Sequence, residues 1–289
     1  MLKMILKTCY KVFFSVITKI SPQFKMLNNY RYLHGNFPNL INPKTFNEKI
    51  IRAMLFDRNE QLTLFADKYL VREYIKNVLG GTEHLTRIYA VTDNIKTFDF
   101  SRLPKEFVMK ANHLSGSGVK IVKDISSENL NEMVQLADEW MNKNHYEKYF
   151  EWAYKNIKPL IFFEEVLQYD GDIADDFKIF CFNGEPKFMQ VDRGRFTGHH
   201  RNFYDMDLNI LPFKIAGEVD NFNEKLNIRN FNKMIDIAKK LSAGTKFLRV
   251  DLYNIDGRII FGELTNYPSA GFAKYEPVEW DLKIGSYIN

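Results

Sequence analysis

Cysteine is scarce in this sequence: Cys9 and Cys181 are the only two among 289 residues. Two thiols cannot build a disulfide framework. Neither belongs to a C-x-x-C pair or a Cys/His cluster, so nothing points to zinc and a reducing compartment fits. Long apolar runs are missing as well; none approaches the roughly 20 residues that a spanning helix needs. A strong charge imbalance is also absent, since 40 basic and 36 acidic side chains leave a formal charge of +4, spread along the chain. That balance suits small anionic molecules and is too mild to imply nucleic acid. There is no internal repeat, no low-complexity linker and no Gly-x-Gly-x-x-Gly dinucleotide fingerprint.

What is present is ordinary for a globular protein: 45% hydrophobic and 26% charged residues, with a core that leans on 25 Phe and 15 Tyr. The length suffices for one large domain or two modest ones. Residues 1–22 stand apart. Plotted at about 100° per residue, Lys3, Lys7, Lys11 and Lys19 fall with Thr8, Ser15 and Thr18 in one arc, and bulky apolar residues from Leu2 to Ile20 fill the other side. A Lys-lined amphipathic helix of this kind reads either as an interfacial membrane anchor or as a helix docked on the protein's own core or on a partner. No small-residue cleavage site accompanies it, so a signal peptide is not expected. The expected location is the cytoplasm, with peripheral contact at the inner face of the membrane under the anchor reading.

Thr45-x-x-Glu48 is a capping-box pattern opening a helix through about Asp57, and a second helix is predicted from about Glu60 to Leu79, stopped by Gly80-Gly81. From about His84 short apolar runs alternate with turns. Helical spacing returns over about 127–142 and 221–241. Asn183-Gly184 between FKIFCF and EPKFMQV is a two-residue hairpin signal, and a second hairpin, KFLRVDLY to RIIFGEL, turns at Asn254 to Gly257. Hairpins intermixed with helices predict an α+β fold with antiparallel sheets. The expected division is an amphipathic helix at 1–22, a helical region at 23–95 and a catalytic domain at 96–289, itself split at 165/166.

Four segments carry candidate chemistry. In the first, strand FVMK delivers Lys110, and the loop Ser115, Gly116, Ser117 and Gly118 follows before a second strand. Glycines let backbone N–H groups close around phosphate oxygens while the lysine supplies a fixed positive charge; a plain hairpin loop is the bland alternative. The second is Glu164, Glu165, Val166 and Leu167 at the end of an apolar strand, able to offer backbone groups to an adenine edge. In the third, alternation places Asp176 and Lys178 on one strand face, and Arg193 and Arg195 on one face of the next strand if it continues, a pattern suited to an anion or to cross-strand ion pairs. In the fourth, Asp251 and Glu263 fall roughly opposite each other in the second hairpin, among apolar residues. Buried carboxylates need a counter-charge. Either a cation between them, Mg²⁺ or Mn²⁺ for an all-oxygen set, or a salt bridge to Arg249 supplies it.

Taken in order, TFNEKI, ADKYLVREY, FVMKANHLSGSG, FFEEVL, DDFKIFCFNGEPKF, RVDLY and FGELT-x-x-P-S-x-G resemble the ATP-grasp superfamily, specifically the TupA-like branch named for a teichuronopeptide biosynthesis ligase. The resemblance covers roughly residues 40–280. It implies ATP held between two α+β subdomains, with Lys110 and Lys178 on the phosphates, Ser115–Gly118 as a phosphate lid, and Glu164–Leu167 as the adenine hinge. Asp251 and Glu263 would hold Mg²⁺, and Arg249 would steady an acyl-phosphate. Many ATP-grasp enzymes read Glu-x-Asn at the metal strand; here Thr265 holds that register and Asn266 lies one place later. The implied activity is an ADP-forming carboxylate–amine ligase. Members of this branch are associated with bacterial surface polysaccharides such as capsule and lipopolysaccharide, so an amino acid joined to a uronic acid of a glycan is the expected reaction. Two other classes compete. Asp170-Gly-Asp172 and Asp205-Met-Asp207 match the Asp-x-Asp of metal-dependent glycosyltransferases, although both sit beside turn-like residues. A kinase built on the same nucleotide site would look identical in sequence.

Overall fold

The computed structural model describes residues 21–169, 172–173, 175–193, 200–217 and 226–288. The amphipathic segment is therefore outside the described residues except for its last two positions, and Arg195, Asp170 and Gly171 are outside them too. The described chain begins with helix α1 (Pro22–His34), which Ser21 caps through its side chain and Gly35 ends in the left-handed conformation. Helix α2 (Phe46–Phe56) starts on the predicted capping box: the Thr45 hydroxyl accepts the Glu48 N–H, and the Glu48 carboxylate accepts the Thr45 N–H.

The helix expected over 60–79 is two helices, α3 (Glu60–Ala66) and α4 (Val71–Leu79). The break is chemical. The Asp67 carboxylate accepts the N–H groups of Tyr69 and Leu70, both at 2.9 Å, and so competes with the helical ladder. Its other oxygen accepts the Asn112 amide at 3.0 Å, while Lys68 N–H donates to the Asn112 carbonyl at 3.0 Å. The break is thereby pinned to the segment that precedes the Ser/Gly loop.

Strands β1 (Ile88–Thr92), β2 (Phe107–Ala111), β3 (Val119–Val122) and β4 (Ile161–Glu164) form an antiparallel sheet in the order β1-β4-β2-β3. β1 precedes residue 96, where the sequence put the start of the first subdomain, yet it is bonded into that sheet through Ile88 to Glu164 and Thr92 to Ile161. One face carries Phe107, Met109, Ile161 and Phe163 onto helix α5 (Leu130–Met141), burying Met133, Ala137 and Trp140. Alternation turns Lys110, Phe162 and Glu164 to the other face. Helix α6 (His145–Tyr149) and a 3₁₀ turn at Trp152–Tyr154 lead back to β4.

After β4 come the short pair β5 (Gln168–Tyr169) and β6 (Asp172–Ile173), then β7 (Asp176–Phe182), β8 (Glu185–Arg193), β9 (His200–Asp205) and β10 (Lys214–Ile215). Helix α7 (Phe231–Ser242) starts ten residues later than expected, and residues 221–225 lie outside the described chain. Strands β11 (Phe247–Ile255), β12 (Arg258–Thr265) and β13 (Tyr275–Glu276) and helix α8 (Glu279–Gly285) complete it, β13 pairing with β10. The second sheet runs β12-β11-β7-β8-β9, antiparallel throughout. Both predicted hairpins are present. Asn183 and Gly184 carry φ of 51° and 79°, and Asp256 and Gly257 carry 50° and 89°, the left-handed pairs that a two-residue turn requires.

One face of this sheet buries Ile179, Cys181, Met189, Val191, Leu248, Val250 and Leu264 in a cluster with Met234, Ile237 and Leu241 of α7. The other face is divided. At one end Phe180 stacks on Phe188 with centroids 4.4 Å apart, and these rings join Phe46 of α2 and Trp280 of α8 in the largest core. At the other end the same face is polar.

Candidate active site

The polar end is built by two β-bulges. From its turn outward the second hairpin pairs Ile255 with Arg258 and Leu252 with Phe261, and then Asp251 with Glu263, leaving Gly262 as the extra residue. Without the bulge Glu263 would keep the phase of Ile259 and Phe261, both in the α7 core. The bulge turns it instead to the face of Asp251. Likewise β7 pairs Cys181 with Pro186 and Phe180 with Phe188, so Lys187 is the extra residue, and Gln190 and Asp192 share the face of Lys178 and Asp176. Glu263, Asp251, Lys178 and Gln190 therefore form one cross-strand row.

Arg249 grips Asp251 with two bonds, Nε to Oδ1 at 2.7 Å and Nη2 to Oδ2 at 2.6 Å, and reaches Glu263 Oε1 at 3.0 Å. The salt bridge foreseen for Arg249 is made, and the two carboxylates still face each other. Thr265 donates its hydroxyl to Glu263 Oε1 at 3.2 Å. Burial pushes the Asp251 carboxyl up to about 7, with Arg249 opposing and Glu263 adding to the rise. Glu263 goes the other way: although burial raises it, Lys68, Arg249 and Lys178 hold it down to about 2. A buried carboxyl pushed up beside a second carboxylate is a site that a cation would relieve, and the oxygen-only set of Asp251, Glu263 and Thr265 fits Mg²⁺ or Mn²⁺. Next in the row, Lys178 bonds Asp176 and also Asp192, the latter at 2.5 Å. Arg201 reaches Asp192 from β9 at 2.5 Å.

On the first sheet, Lys110 pairs with Glu164, whose other oxygen accepts the Thr86 hydroxyl at 2.5 Å, with Arg72 at 3.8 Å. The Ser115–Gly118 loop leaves the end of β2 with Gly116 and Gly118 at φ of 65° and 75°. A Cβ on Gly118 would stand 3.0 Å from the Ala111 and Leu114 side chains, so glycine is required there on two counts. The Ser115 N–H donates to His145 Nδ1 at 3.4 Å, and His145 Nε2 meets Glu151 Oε1 at 3.1 Å. β4 ends at Glu164, and the connector of Glu165, Val166 and Leu167 passes to the second sheet. The Glu165 carboxylate lies 3.4 Å from Arg258 at the tip of the second hairpin, beside a cleft of about 360 Å³ lined also by Arg72, Thr86, Arg87 and Ile88.

Lys68 joins the two halves. Its ammonium donates to the Leu114 carbonyl at 2.5 Å, one residue before the loop, and lies 3.7 Å from Glu263 Oε2. Sequence reasoning missed Lys68 because it sits in a run read as continuous helix; the Asp67-Lys68 pair within ADKYLVREY was the available signal. Arg201 and the His145–Glu151 pair were missed as well, and carry no local signature. The extra Lys187 puts Arg193 on the sheet face opposite Lys178, where its Nε donates to Asp175 at 3.0 Å. Arg195 falls outside the described residues, as does half of the first Asp-x-Asp. In the second, Asp205 is a turn carboxylate accepting the N–H groups of Asp207 and Asn209 at 2.9 and 2.8 Å. Among the described residues no group of three or more His, Cys, Asp or Glu could hold a metal ion.

Two α+β halves, a Lys-bearing strand with a Ser/Gly loop on one sheet and a paired-carboxylate strand on the other, define the ATP-grasp fold. Residues 48–289 match the family described as TupA-like ATPgrasp, and the chain belongs to that family. Solved structures similar to it include a D-alanine–D-alanine ligase from Bacillus anthracis, at 18% identity and TM-score 0.43, covering 71% of this chain and 58% of that one. A phosphoribosylamine–glycine ligase from Thermotoga maritima shows 15% identity and TM-score 0.42, with 76% and 55% covered. An N5-carboxyaminoimidazole ribonucleotide synthetase shows 14% and 0.45, with 72% and 46% covered. The chain thus spans about half to three-fifths of the length of these proteins. No curated relative matches it. Among the described residues no helix is long and apolar enough to cross a membrane.

Proposed function

We propose that the chain is an ADP-forming carboxylate–amine ligase that joins an amino acid to a uronic acid of a bacterial surface glycan or its precursor. The observation that carries this reading is the reach of Lys68, whose ammonium touches both the Leu114 carbonyl at the loop and Glu263 on the opposite sheet. A phosphate chain placed between Lys110, the loop and Glu263 would have lysines on both sides and backbone N–H groups at its end.

In this reading Lys110, Lys68 and Lys178 neutralise the ATP phosphates, Ser115–Gly118 closes over them, and Glu164–Leu167 receive the adenine. Asp251 and Glu263, with Thr265 as a third oxygen, would hold Mg²⁺, which would supply charge neutralisation for the phosphates. A substrate carboxylate oxygen attacks the terminal phosphorus and ADP leaves; the amine nitrogen then attacks the acyl carbon, phosphate leaves, and the nitrogen gives up a proton. Arg249, fixed beside both carboxylates, steadies the acyl-phosphate. The closed loop excludes water, which would otherwise hydrolyse it. With the right carboxylate present, hydroxylamine should intercept one hydroxamate per ADP. Pyrophosphate and AMP would point to adenylate chemistry, phosphate retained on an acceptor to a kinase, and either would sink the ligase reading. Residues 1–22 add a peripheral contact with anionic membrane in the same proposal.

A further inference from the structure

Charge is divided unevenly along the chain. All 36 acidic residues lie at or beyond Glu48, while seven lysines and arginines precede it. Glu48 itself is 7% exposed, and its carboxylate is taken up by the N–H groups of Asn39, Lys44 and Thr45 at 2.9, 2.8 and 3.1 Å. Residues 21–56 therefore present no carboxylate of their own to solvent; the first exposed one is Asp57. Lys25, Lys44 and Arg52 are exposed, and none of them pairs with a carboxylate among the described residues.

Large apolar side chains stand in water on the same stretch: Tyr32 is 91% exposed, Ile41 96% and Phe56 60%. In α1, Met26 and Tyr30 face the core, so Lys25 and Tyr32, two turns apart, share the outward side. The chain after α1 continues the pattern. The Arg31 guanidinium lies over the Phe37 ring at 5.3 Å. Arg52 Nε donates to the Leu40 carbonyl, beside Ile41, at 3.1 Å, and the same guanidinium lies over the Phe56 ring at 6.0 Å. Cations and apolar side chains thus alternate along one strip over the outer sides of α1 and α2. Scattered exposed apolar residues need no explanation, whereas a connected strip does.

We infer that this strip is a docking face for an anionic membrane surface. Rings and bulky aliphatic side chains enter the boundary between headgroups and acyl chains, and lysines and arginines stay at the level of the lipid phosphates. Tyr32 and Ile41 are so fully exposed that they protrude rather than line a groove, which suits insertion into lipid and not capture of a peptide. The inference rests on the membrane contact proposed for residues 1–22 and carries it into the folded chain. Two weak contacts on one chain reinforce each other, so losing either releases the protein. The inner side of α2 meets the turn that follows the Glu263 strand: a Cβ on Gly271 would stand 3.0 and 3.2 Å from the Ile51 and Ile50 side chains. Membrane on the outer side of α2 is then about one helix diameter, roughly 10 Å, from that turn. An acceptor glycan anchored in the lipid would be held beside the strand that carries Glu263.

The test is co-sedimentation of the full chain with phosphatidylcholine vesicles, with and without phosphatidylglycerol. The wild type should bind the anionic vesicles at least about tenfold more tightly than the neutral ones. Tyr32→Ser with Ile41→Ser, and separately Lys25→Glu with Lys44→Glu, should each raise the Kd for anionic vesicles at least about tenfold. ADP binding and the urea midpoint should stay at wild-type values, because all four side chains are exposed. An unchanged Kd in either pair overturns the docking face; if Lys3→Glu with Lys7→Glu weakens binding in the same assay, the contact of residues 1–22 survives that result. Equal binding to both vesicle types overturns the anionic partner, and a wild type that binds neither removes the docking face and the contact of residues 1–22 together.

Discussion

Gly262 is the extra residue of the bulge between Phe261 and Glu263, and replacing it should harm the site more than deleting it. A Cβ at position 262 would stand 3.1 Å from the Asp251 carbonyl oxygen and 3.1 Å from the edge of the Tyr253 ring. The backbone oxygen cannot swing away, so valine, with two further methyl groups, must push β12 from β11 at the carboxylate pair. Overpacking of this kind costs about 1–3 kcal/mol. If that strain falls on the Mg²⁺-bound state, it corresponds to roughly 5- to 150-fold weaker ATP binding. Deletion has a different consequence. Leu252 pairs with Phe261 and Asp251 with Glu263 on either side of the bulge, so a chain lacking Gly262 keeps both pairs in a regular ladder and keeps Glu263 on the polar face. Calorimetry of ATP binding with and without Mg²⁺, alongside urea unfolding, separates affinity from stability. The reasoning is refuted if Gly262→Val binds Mg²⁺ and ATP like the wild type, or if the deletion binds less well than the valine variant.

Lys110→Ala should weaken ATP binding through loss of a charge-assisted contact, about 1.5–3 kcal/mol, with calorimetry as the check; wild-type affinity would remove the phosphate role. Asp251→Asn and Glu263→Gln should abolish Mg²⁺-dependent ADP release with folding retained by circular dichroism, and most of the activity surviving in either variant would exclude that residue as a ligand. Asp192 gives a pH signature: burial raises its carboxyl, but Lys178 and Arg201 outweigh burial and hold it well below the usual carboxylate range. A lowered folded-state value means stability that is present above the unfolded value of about 3.9 and lost as pH falls below it. Asp192→Asn should therefore be less stable than the wild type at neutral pH, with the gap in urea midpoint narrowing below about pH 4; a constant gap would contradict the pairing. Deleting residues 1–22 should release the protein from anionic liposomes while leaving nucleotide binding intact, and unchanged co-sedimentation would make the segment a docked helix.

Much of this protein was determined by short stretches of sequence acting locally. The Thr45/Glu48 cap, the left-handed turns at Asn183-Gly184 and Asp256-Gly257, and the glycines of the Ser115–Gly118 loop each need only neighbouring residues, so their chemistry is readable in order along the chain. The motif order was enough for the family, and the hairpin turn put Asp251 and Glu263 near each other, although a regular ladder from that turn would set Asp251 opposite Gly262. Tertiary structure decided the rest wherever parity or distance was involved. Which face a strand residue takes depends on every bulge between it and the turn, and no local pattern announced the extra residues Lys187 and Gly262; one bulge moved Arg193 away from Lys178, the other brought Glu263 to Asp251. Lys68 lies far from Glu263 in sequence. The packing of α3 against β12 brings the two charges together, because burial and distance are properties of neighbours in space and not of neighbours along the chain.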